Sequence, residues 1–244
     1  MTFSKDEVER YARQLSMPGW GKEGQERLAA ARVFVAGVGG LGCAAATYLA
    51  TTGVGRIVVC DADHVERSNL NRQFLYGRED VGHDKAPIAA GRLAAMNPSV
   101  RVDALVAEIG RTTAAGLIEG SDLVVDGLDN LETRFALNRA CIATRIPMIY
   151  AAVADFTGYL SFLKPPDTPC LECFIGSTPP PVEPAIPGCT PGFLGALEAM
   201  EALKYIVGVG DVLAGRLLIA EGAEPRFDVI DIERDPRCPA CRVS

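Results

Sequence analysis

Three glycines in the sequence have the spacing of a phosphate-binding loop. Gly37, Gly39 and Gly42 follow the apolar run R-V-F-V-A and precede a helix predicted over residues 44–51. The first glycine allows a tight turn, the second lets backbone approach a phosphate, and the third lets helix pack on strand. Asp61 ends the next predicted strand, residues 56–61, where a ribose hydroxyl would be bound. The pattern predicts a nucleotide site; the alternative is that the glycines serve packing alone.

Polar residues beyond this loop indicate a triphosphate rather than a dinucleotide. Asp129 follows an apolar strand predicted at residues 123–126, so it should lie at the carboxyl edge of the sheet, where open α/β sheets bind ligands. A carboxylate there can hold Mg²⁺ against phosphates. Each such residue alone could be a solvated surface group, but the occurrence of all of them in this order along the chain favours an ATP site. The set is Asn69, Arg72, Gln73, Lys85, Asp129 and Asn130.

Four cysteines form two C-x-x-C pairs, Cys170 with Cys173 and Cys238 with Cys241. Four thiolates in such pairs suit tetrahedral Zn²⁺ and leave no open position, so the predicted site is structural. It would tie the end of the chain to the loop that follows the sheet. The alternative is two redox motifs, but neither pair is predicted to open a helix, as a thioredoxin-like motif does.

Alternating strand and helix signals predict an α/β fold, a Rossmann-like and mostly parallel sheet with helices on both faces. We expect one domain over residues 1–244, with N-terminal helices in 1–31 and the nucleotide-binding part in 32–151. After residue 151 the pattern changes to an antiparallel extension that carries the zinc site, in 152–244. The further predicted strands lie at residues 100–106, 147–151, 158–163, 216–220 and 227–232. The further predicted helices lie at residues 4–14, 22–31, 85–96, 113–119, 131–144 and 194–207, with a proline-rich loop over 165–191.

Composition limits the classes of partner. The formal net charge of −7 argues against nonspecific binding to nucleic acid or to an anionic membrane. No apolar run reaches the roughly 18–20 residues of a membrane-spanning helix, and the first residues lack the apolar stretch of a signal peptide. We therefore expect a cytoplasmic protein, in which cysteines are thiols or metal ligands. Cys43, Cys60 and Cys141 are expected to be buried thiols.

These motifs together resemble the ThiF/MoeB/HesA family, adenylyltransferases related to ubiquitin-activating enzymes. The resemblance spans nearly the whole chain, and its motifs occur in family order. They are R-Y-A-R-Q (10–14), G-V-G-G-L-G (37–42), D-A-D (61–63), S-N-L-N-R-Q (68–73), V-G-H-D-K (81–85), L-D-N (128–130), C-L-E-C (170–173), G-A-L-E-A-M-E-A-L-K (195–204) and C-P-A-C (238–241).

The resemblance implies ATP-dependent adenylylation of the C-terminal Gly-Gly carboxylate of a ubiquitin-like sulfur-carrier protein, with release of pyrophosphate. It makes residues 152–244 the carrier-binding part as well. Arg13 would reach the phosphates of a neighbouring subunit, which implies a homodimer; without the resemblance, Arg13 would be a surface charge. The implied catalytic residues are Arg13, Arg72, Lys85 and Asp129, and the implied nucleotide contacts are Gly37, Gly39, Gly40, Gly42, Asp61, Asp63, Asn69, Arg72, Gln73, Lys85, Asp129 and Asn130.

Adenylylation needs no general base, because the attacking carboxylate is already ionised near neutral pH. This agrees with a chain that has only two histidines, His64 and His83, neither in an obvious dyad. The barrier arises from bringing an anion to a polyanion and from charge on the leaving pyrophosphate. Fixed cations, a metal ion and backbone amides are suited to both tasks.

Several alternatives stay open. An NAD-dependent Rossmann oxidoreductase explains Gly37 to Asp61 but leaves Arg72, Asp129 and the cysteine pairs without a use. A noncatalytic subunit that binds a ubiquitin-like protein should have lost the ATP-handling residues. The pathway is open among thiamine, molybdenum-cofactor and tRNA thiolation, as is the sulfur donor, a sulfurtransferase or a cysteine desulfurase.

Two features of the C-terminal part have competing interpretations. Cys189 is predicted in the loop before the helix at 194–207. A thiol without a covalent role is favoured there, although some members of the family carry a covalently active cysteine in this region. Phe227 and Ile230 could contribute to carrier docking, but core packing is the commoner use of such residues.

Overall fold

Eight strands form one sheet in the part of the chain that the computed structural model describes, residues 3–176 and 185–242. In chain order they are β1 Arg32–Ala36, β2 Arg56–Cys60, β3 Arg101–Leu105, β4 Leu123–Asp126, β5 Met148–Ala154, β6 Thr157–Leu163, β7 Arg216–Glu221 and β8 Arg226–Asp231. Their order across the sheet is β3-β2-β1-β4-β5-β6-β7-β8. Pairs from β3 to β5 are parallel and pairs from β5 to β8 are antiparallel. The predicted fold class is therefore confirmed.

Helices cover both faces of this sheet. They are α1 Lys5–Arg10, α2 Ala12–Leu15, α3 Gly21–Ala30, α4 Gly40–Thr52, α5 Lys85–Met96, α6 Ala114–Leu117, α7 Leu131–Thr144, α8 Leu171–Phe174 and α9 Cys189–Val207. Successive strand residues point to opposite faces. Val33 and Val35 of β1 pack in an apolar cluster with α3, α4, α5 and α9, whereas Phe34 and Ala36 pack in a second cluster with α6, α7 and α8.

The first predicted helix is divided in two. Ser4 caps α1 as expected, with its hydroxyl accepting from the Glu7 N–H and the Glu7 carboxylate accepting from the Ser4 N–H. Tyr11 then leaves helical geometry and is buried. Its hydroxyl accepts a hydrogen bond from the Asn97 amide at 2.8 Å, which draws the chain into the core between α1 and α2.

Two further boundaries differ from prediction. The helix expected over residues 113–119 is only the four-residue α6, and the chain then turns at Gly120, which has a positive φ of 71°. Helix α9 begins at Cys189, five residues before the predicted start at 194. Pro191 is compatible with this because the first N–H groups of a helix have no partner within it. Cys189 is therefore helical rather than in a loop, while the cluster of prolines at 179–181 lies outside the described residues.

The outer strand β8 leaves apolar side chains in solvent. Phe227 is 60% exposed and Ile230 is 45% exposed, so core packing is the wrong interpretation for both. Phe227 contacts the ring of Phe193 on α9, with 5.9 Å between ring centroids. No helix in residues 3–176 or 185–242 has the length and apolarity that crossing a membrane would require.

Candidate functional site

Three loops meet where β1, β2 and β4 end. These strands are parallel neighbours, so their carboxyl ends lie at one edge of the sheet. The Gly37 N–H donates to the Cys60 carbonyl at 2.8 Å, and the Gly127 N–H donates to the Ala36 carbonyl at 2.8 Å. The glycine loop, the segment that starts at Asp61 and the L-D-N segment are therefore held together at the point where the chain order of the strands reverses, which is where open α/β sheets bind ligands.

The glycine loop is fixed through Val38. The Val38 N–H donates to the Asp61 carboxylate at 2.9 Å, and the Val38 carbonyl accepts from the Tyr76 hydroxyl at 2.9 Å and from the Cys43 thiol at 3.2 Å. Burial raises the pKa of Asp61, while hydrogen bonds from backbone amides act against that rise. Tyr76 was not singled out from the sequence, because no local pattern indicates where its hydroxyl is directed.

Close packing accounts for some of the glycines but not for all of them. Gly37 has a φ of +82°, and a Cβ there would lie 2.8 Å from the Gly127 carbonyl oxygen. A Cβ on Gly40 would lie 2.9 Å from the side chain of Pro191. A Cβ on Gly39 would meet nothing nearer than the Gln73 amide nitrogen at 3.7 Å, so space remains for a ligand to approach the backbone.

Gly42→Ala is expected to remove nucleotide binding and to lower the free energy of unfolding by about 1–3 kcal/mol. The new Cβ would lie 2.0 Å from the Gly37 carbonyl oxygen, which forces the loop to move. Gly91→Ala on α5 is the matched control: nothing lies within 4 Å of its Cβ, so it should stabilise the protein by about 0.5–1 kcal/mol. Urea unfolding and titration with a fluorescent ATP analogue measure both effects; equal behaviour of the two variants would contradict the packing argument.

Residues 69–73 and the start of α5 carry cationic and amide side chains that lie beside the glycine loop. Lys85, the first residue of α5, is 5% exposed, and its amine lies 2.9 Å from the Asp63 carboxylate. Arg72 has its aliphatic stem 3.6 Å from the Cβ position of Gly40 and donates to the Ser68 carbonyl at 3.0 Å. These contacts place two of the predicted phosphate-binding cations next to the loop.

The amides of the same segment are largely buried. Asn69 and Gln73 are 7% and 4% exposed, and the Gln73 N–H donates to the Asn69 carbonyl. Within the described ranges the Gln73 amide oxygen has no hydrogen-bond partner. A buried polar atom without a partner is costly, and a bound group with a hydroxyl would satisfy it. The residues present thus fit a nucleotide.

Asp129 and Asn130 are exposed at the end of β4. The Asn130 side-chain oxygen accepts from the Thr133 N–H at 2.9 Å, which caps α7. Asp129 accepts a long hydrogen bond from the Asn130 amide at 3.4 Å, and it lies exposed at the sheet edge, as predicted. The structure therefore brings every predicted nucleotide residue to this edge except one, Arg13.

Arg13 lies far from the glycine loop of its own chain. The neighbouring Gln14 donates to the Thr52 carbonyl, at the last residue of α4. The glycine loop is at the other end of this 13-residue helix, about 20 Å away at 1.5 Å per residue. An arginine side chain cannot span that distance. The exposed Arg13 guanidinium makes no hydrogen bond or ion pair with any residue that the structure describes, so it is available to another molecule.

A buried cluster of ionisable side chains lies beneath the L-D-N segment and was not predicted from the sequence. Arg134 on α7 lies 3.2 Å from the Asp126 carboxylate and donates to the carbonyls of Leu128 and Ala151. Glu198 on α9 is fully buried, and neither of its carboxyl oxygens has a hydrogen-bond partner within residues 3–176 and 185–242. Burial and the nearby Asp126 raise its pKa well above the ordinary value, against the opposing effect of Arg134. The raised pKa favours the protonated, uncharged form of Glu198 in the folded protein.

Glu198→Gln is expected to stabilise the protein increasingly as pH rises. The folded pKa of Glu198 lies above its unfolded value of 4.5, so the contribution of its proton is fully present below pH 4.5 and is lost as pH rises toward the folded pKa. Each pH unit in that window costs wild type up to about 1.4 kcal/mol. Glutamine cannot titrate and keeps the shape. Denaturant unfolding of both proteins between pH 4.5 and 8 measures the difference; parallel stability profiles would contradict a neutral Glu198.

The two C-x-x-C pairs come together as one cluster. The sulfur atoms of Cys170, Cys173, Cys238 and Cys241 all lie within 4.8 Å of one another, with individual separations of 3.4, 3.6 and 3.8 Å. A tetrahedron with Zn–S bonds of about 2.3 Å places its sulfurs about 3.8 Å apart. The donor set and its dimensions therefore fit a metal ion, and a shared cluster argues against two independent redox motifs.

One expectation about this cluster was wrong. Cys170 is the N-cap of the four-residue α8, so the first pair does open a short helix. Its neighbour Glu172 accepts from Arg139 at 2.8 and 2.9 Å and from the Asn138 amide, both on α7. The Leu171 N–H also donates to the Asn138 oxygen at 3.1 Å. The helix serves to fix the cluster against α7.

The three cysteines that were predicted to be buried thiols are buried, whereas Cys189 is exposed. Cys43, Cys60 and Cys141 are buried, and burial raises the pKa of Cys43 and of Cys60 to about 12. Cys189 is exposed at the start of α9. A Cβ on the preceding Gly188 would lie 2.2 Å from the Asn71 carbonyl, so the start of α9 packs against the segment of residues 69–73.

The chain is similar to known proteins along almost all of its length. The model of the ThiF family matches residues 11–240. A protein of Thermus thermophilus named sulfur carrier protein adenylyltransferase is 41% identical over 99% of this chain and 93% of its own length. The SAMP-activating enzyme E1 of Haloferax volcanii is 39% identical over 99% of this chain and 92% of its own length. Adenylyltransferase and sulfurtransferase MOCS3 of Mus musculus is 39% identical over 98% of this chain, which spans 54% of that relative.

Solved structures are similar over most of the chain. Escherichia coli MccB, crystallised with MccA-N7isoASN, has a TM-score of 0.87 and 24% identity over 99% of this chain and 76% of its own. A crystal structure of PaaA has a TM-score of 0.80 and 21% identity over 95% of this chain and 84% of its own. At these identities the likeness shows a shared fold alone.

Proposed function

The chain belongs to the ThiF family, and we propose that it transfers AMP from ATP to the C-terminal carboxylate of a ubiquitin-like sulfur-carrier protein. The observation that carries this proposal is the convergence of the glycine loop, Lys85 and the L-D-N segment at one edge of the sheet. The printed names of two relatives that match along almost their full length, a sulfur carrier protein adenylyltransferase and a SAMP-activating enzyme, support the same activity.

In this reaction a carboxylate oxygen of the carrier attacks the α-phosphorus of ATP. An acyl–oxygen–phosphorus bond forms, and the bond between the α-phosphorus and the pyrophosphate oxygen breaks. No proton is abstracted, because the nucleophile is already an anion. The task of the protein is to hold two anions together and to stabilise the charge on the leaving group.

The residues at the sheet edge suit these tasks. Asp61 would bind ribose, while Arg72 and Lys85 would neutralise the phosphates with the help of Asn69 and Gln73. Lys85 is already paired with Asp63, so its ammonium is held in place before ATP arrives. The backbone of Gly37, Gly39, Gly40 and Gly42, together with Asp63 and Asn130, completes the set of proposed nucleotide contacts.

Asp129 is the proposed ligand for Mg²⁺, which would offset the charge of the phosphates when bound. Two observations support this role. The carboxylate is exposed at the sheet edge, and it follows directly on the segment that contacts the glycine loop. Lys85 reaches the same edge from the start of α5, so its ammonium would add to the charge compensation by the metal.

A homodimer is proposed because Arg13 cannot reach its own nucleotide loop. The exposed Arg13 guanidinium on α2 binds no residue within 3–176 and 185–242, and it would complete the site of a second copy by adding a cation where pyrophosphate leaves. The four cysteines would hold a structural Zn²⁺, because all four positions of a tetrahedron are filled by sulfur.

The proposed partner is a carrier that ends in Gly-Gly, whose small residues would permit close approach to the α-phosphate. A sulfurtransferase or cysteine desulfurase would then supply sulfur to the activated carboxyl group. The eight cysteines are all outside disulfides, which fits a reducing compartment, and we place the activity in the cytoplasm. We propose neither a nucleic acid nor a membrane as a partner.

ATP–pyrophosphate exchange tests this function. The purified protein is offered each Gly-Gly-ended carrier encoded in the same genome, with the same carrier lacking its last two residues as the control. Exchange that depends on an intact tail is the expected result. A protein that binds NAD, ignores ATP and exchanges no pyrophosphate with any carrier would instead be the Rossmann oxidoreductase, and one that binds carriers without ATP would be a noncatalytic subunit.

A further inference from the structure

Arg134 is a buried cation that the adenylylation chemistry does not use directly. It is 6% exposed and lies at the start of the second turn of α7. One of its terminal nitrogens donates to both the Leu128 carbonyl and the Ala151 carbonyl, the latter at 2.8 Å. Its guanidinium also lies over the Tyr150 ring, 5.5 Å from the centroid. The side chain thus links the L-D-N segment to the middle of β5.

Asp126 completes this link from the other side. It is fully buried as the last residue of β4, and one of its carboxylate oxygens accepts from the Leu128 N–H at 3.1 Å. The other oxygen lies 3.2 Å from Arg134. Leu128 is therefore held through its N–H by Asp126 and through its carbonyl by Arg134. The next residue is Asp129, whose position depends on how firmly this peptide is fixed.

We propose that Arg134 is a positioning residue, which acts with Asp126 to fix the peptide of Leu128 so that Asp129 points at the metal of a bound nucleotide. This inference rests on the proposed role of Asp129 in holding Mg²⁺. Arginine suits the task because its rigid, planar donors can serve several acceptors at once, whereas the single ammonium of lysine cannot keep the same geometry.

Glu198 does not compete for this arrangement. Arg134 is one cation beside two buried carboxyl groups, Asp126 and Glu198. Among the described residues neither oxygen of Glu198 has a hydrogen-bond partner, whereas the guanidinium lies 3.2 Å from Asp126 and donates to the Leu128 carbonyl. The contacts of Arg134 are thus made to the segment that carries Asp129.

Arg134→Lys is the test, measured as binding of Mn²⁺ to the ATP-bound protein by electron paramagnetic resonance. The dissociation constant for Mn²⁺ is expected to rise by about tenfold or more, as for other residues that support a metal ligand. Affinity for a fluorescent ATP analogue in the presence of EDTA should stay unchanged, which a general loss of structure would not allow. Arg27→Lys is the control, since Arg27 also donates to a main-chain carbonyl, at the far end of α9.

A double variant distinguishes positioning from an independent effect. Asp129→Asn should weaken Mn²⁺ binding by itself, and addition of Arg134→Lys should then cause no further loss, because both act through one carboxylate. If Arg134→Lys does not fold, Asp126→Asn replaces it, with weaker Mn²⁺ binding again expected. Unchanged Mn²⁺ affinity in a folded variant, or additive losses in the double variant, would overturn the proposal.

The outcome for wild type separates this inference from the proposed function. Mn²⁺ binding requires neither a carrier nor turnover. Wild type that binds no Mn²⁺ with ATP would overturn both the metal role of Asp129 and its positioning by Arg134. Wild type that binds Mn²⁺ as tightly as a folded Arg134→Lys protein would overturn the positioning role alone.

Discussion

Asp129→Ala is expected to abolish ATP–pyrophosphate exchange, with a loss on the order of 10²–10³ or more, while the fold stays intact. The carboxylate is exposed and makes no contact in the core, so its removal should leave the thermal midpoint close to that of wild type. Its proposed Mg²⁺, by contrast, would be lost from the phosphates, and the charge on the leaving pyrophosphate would be poorly compensated. Exchange assays and thermal unfolding on the same preparation measure both quantities.

Glu132→Ala provides the matched control for this prediction. Glu132 is an exposed acid three residues later, in the first turn of α7. Its loss changes the local charge by the same amount without removing the proposed metal ligand, so exchange should continue. If Asp129→Ala exchanged pyrophosphate at the rate of the Glu132→Ala protein, Asp129 could not hold the metal that the reaction needs.

Cys238→Ser is expected to release zinc and to lower the free energy of unfolding by about 3–5 kcal/mol, or roughly 10 °C in Tm. Cys238 is fully buried among the other three sulfurs, and metal binding there joins the C-terminal residues to α8 and α7. A serine hydroxyl is a poor replacement for a thiolate ligand. Elemental analysis of the purified protein should give one zinc per wild-type chain.

Cys189→Ser is the corresponding control, because this thiol is exposed and lies outside the cluster. It should leave both zinc content and Tm unchanged. The zinc prediction fails if wild type contains no stoichiometric metal, or if chelation during unfolding and refolding yields a protein as stable as before. A different bound metal would keep the site but change its identity.

Much of the nucleotide site could be read from the amino-acid order, because its requirements are local. A positive φ at Gly37 and the close approach at Gly42 are met by glycine alone, and both follow from a strand that turns directly into a helix. Parallel strands bring their carboxyl ends together whatever their length. The positions of Asp61 and Asp129 at one edge therefore followed from their places after predicted strands.

Spacing likewise indicated the cysteine cluster, since two C-x-x-C pairs have few other uses in a chain of this kind. The boundaries of elements were less predictable. Cys189 is helical because α9 packs along α4 from its first turn. Tyr11 interrupts the first predicted helix because its hydroxyl binds Asn97. Both outcomes depend on residues distant in the chain.

The sequence by itself determined the fold class, the glycine loop and the two C-x-x-C pairs that form the cysteine cluster, because each rests on short-range geometry or on residue types with few alternatives. Only the tertiary structure decided that Arg134 and Glu198 are buried beneath the L-D-N segment, that Phe227 is exposed, and that Arg13 lies about 20 Å from its own glycine loop. Burial and distance are set by the packing of segments far apart in the chain, such as α7 against β5 and α9 against α4. No local pattern of residues encodes them.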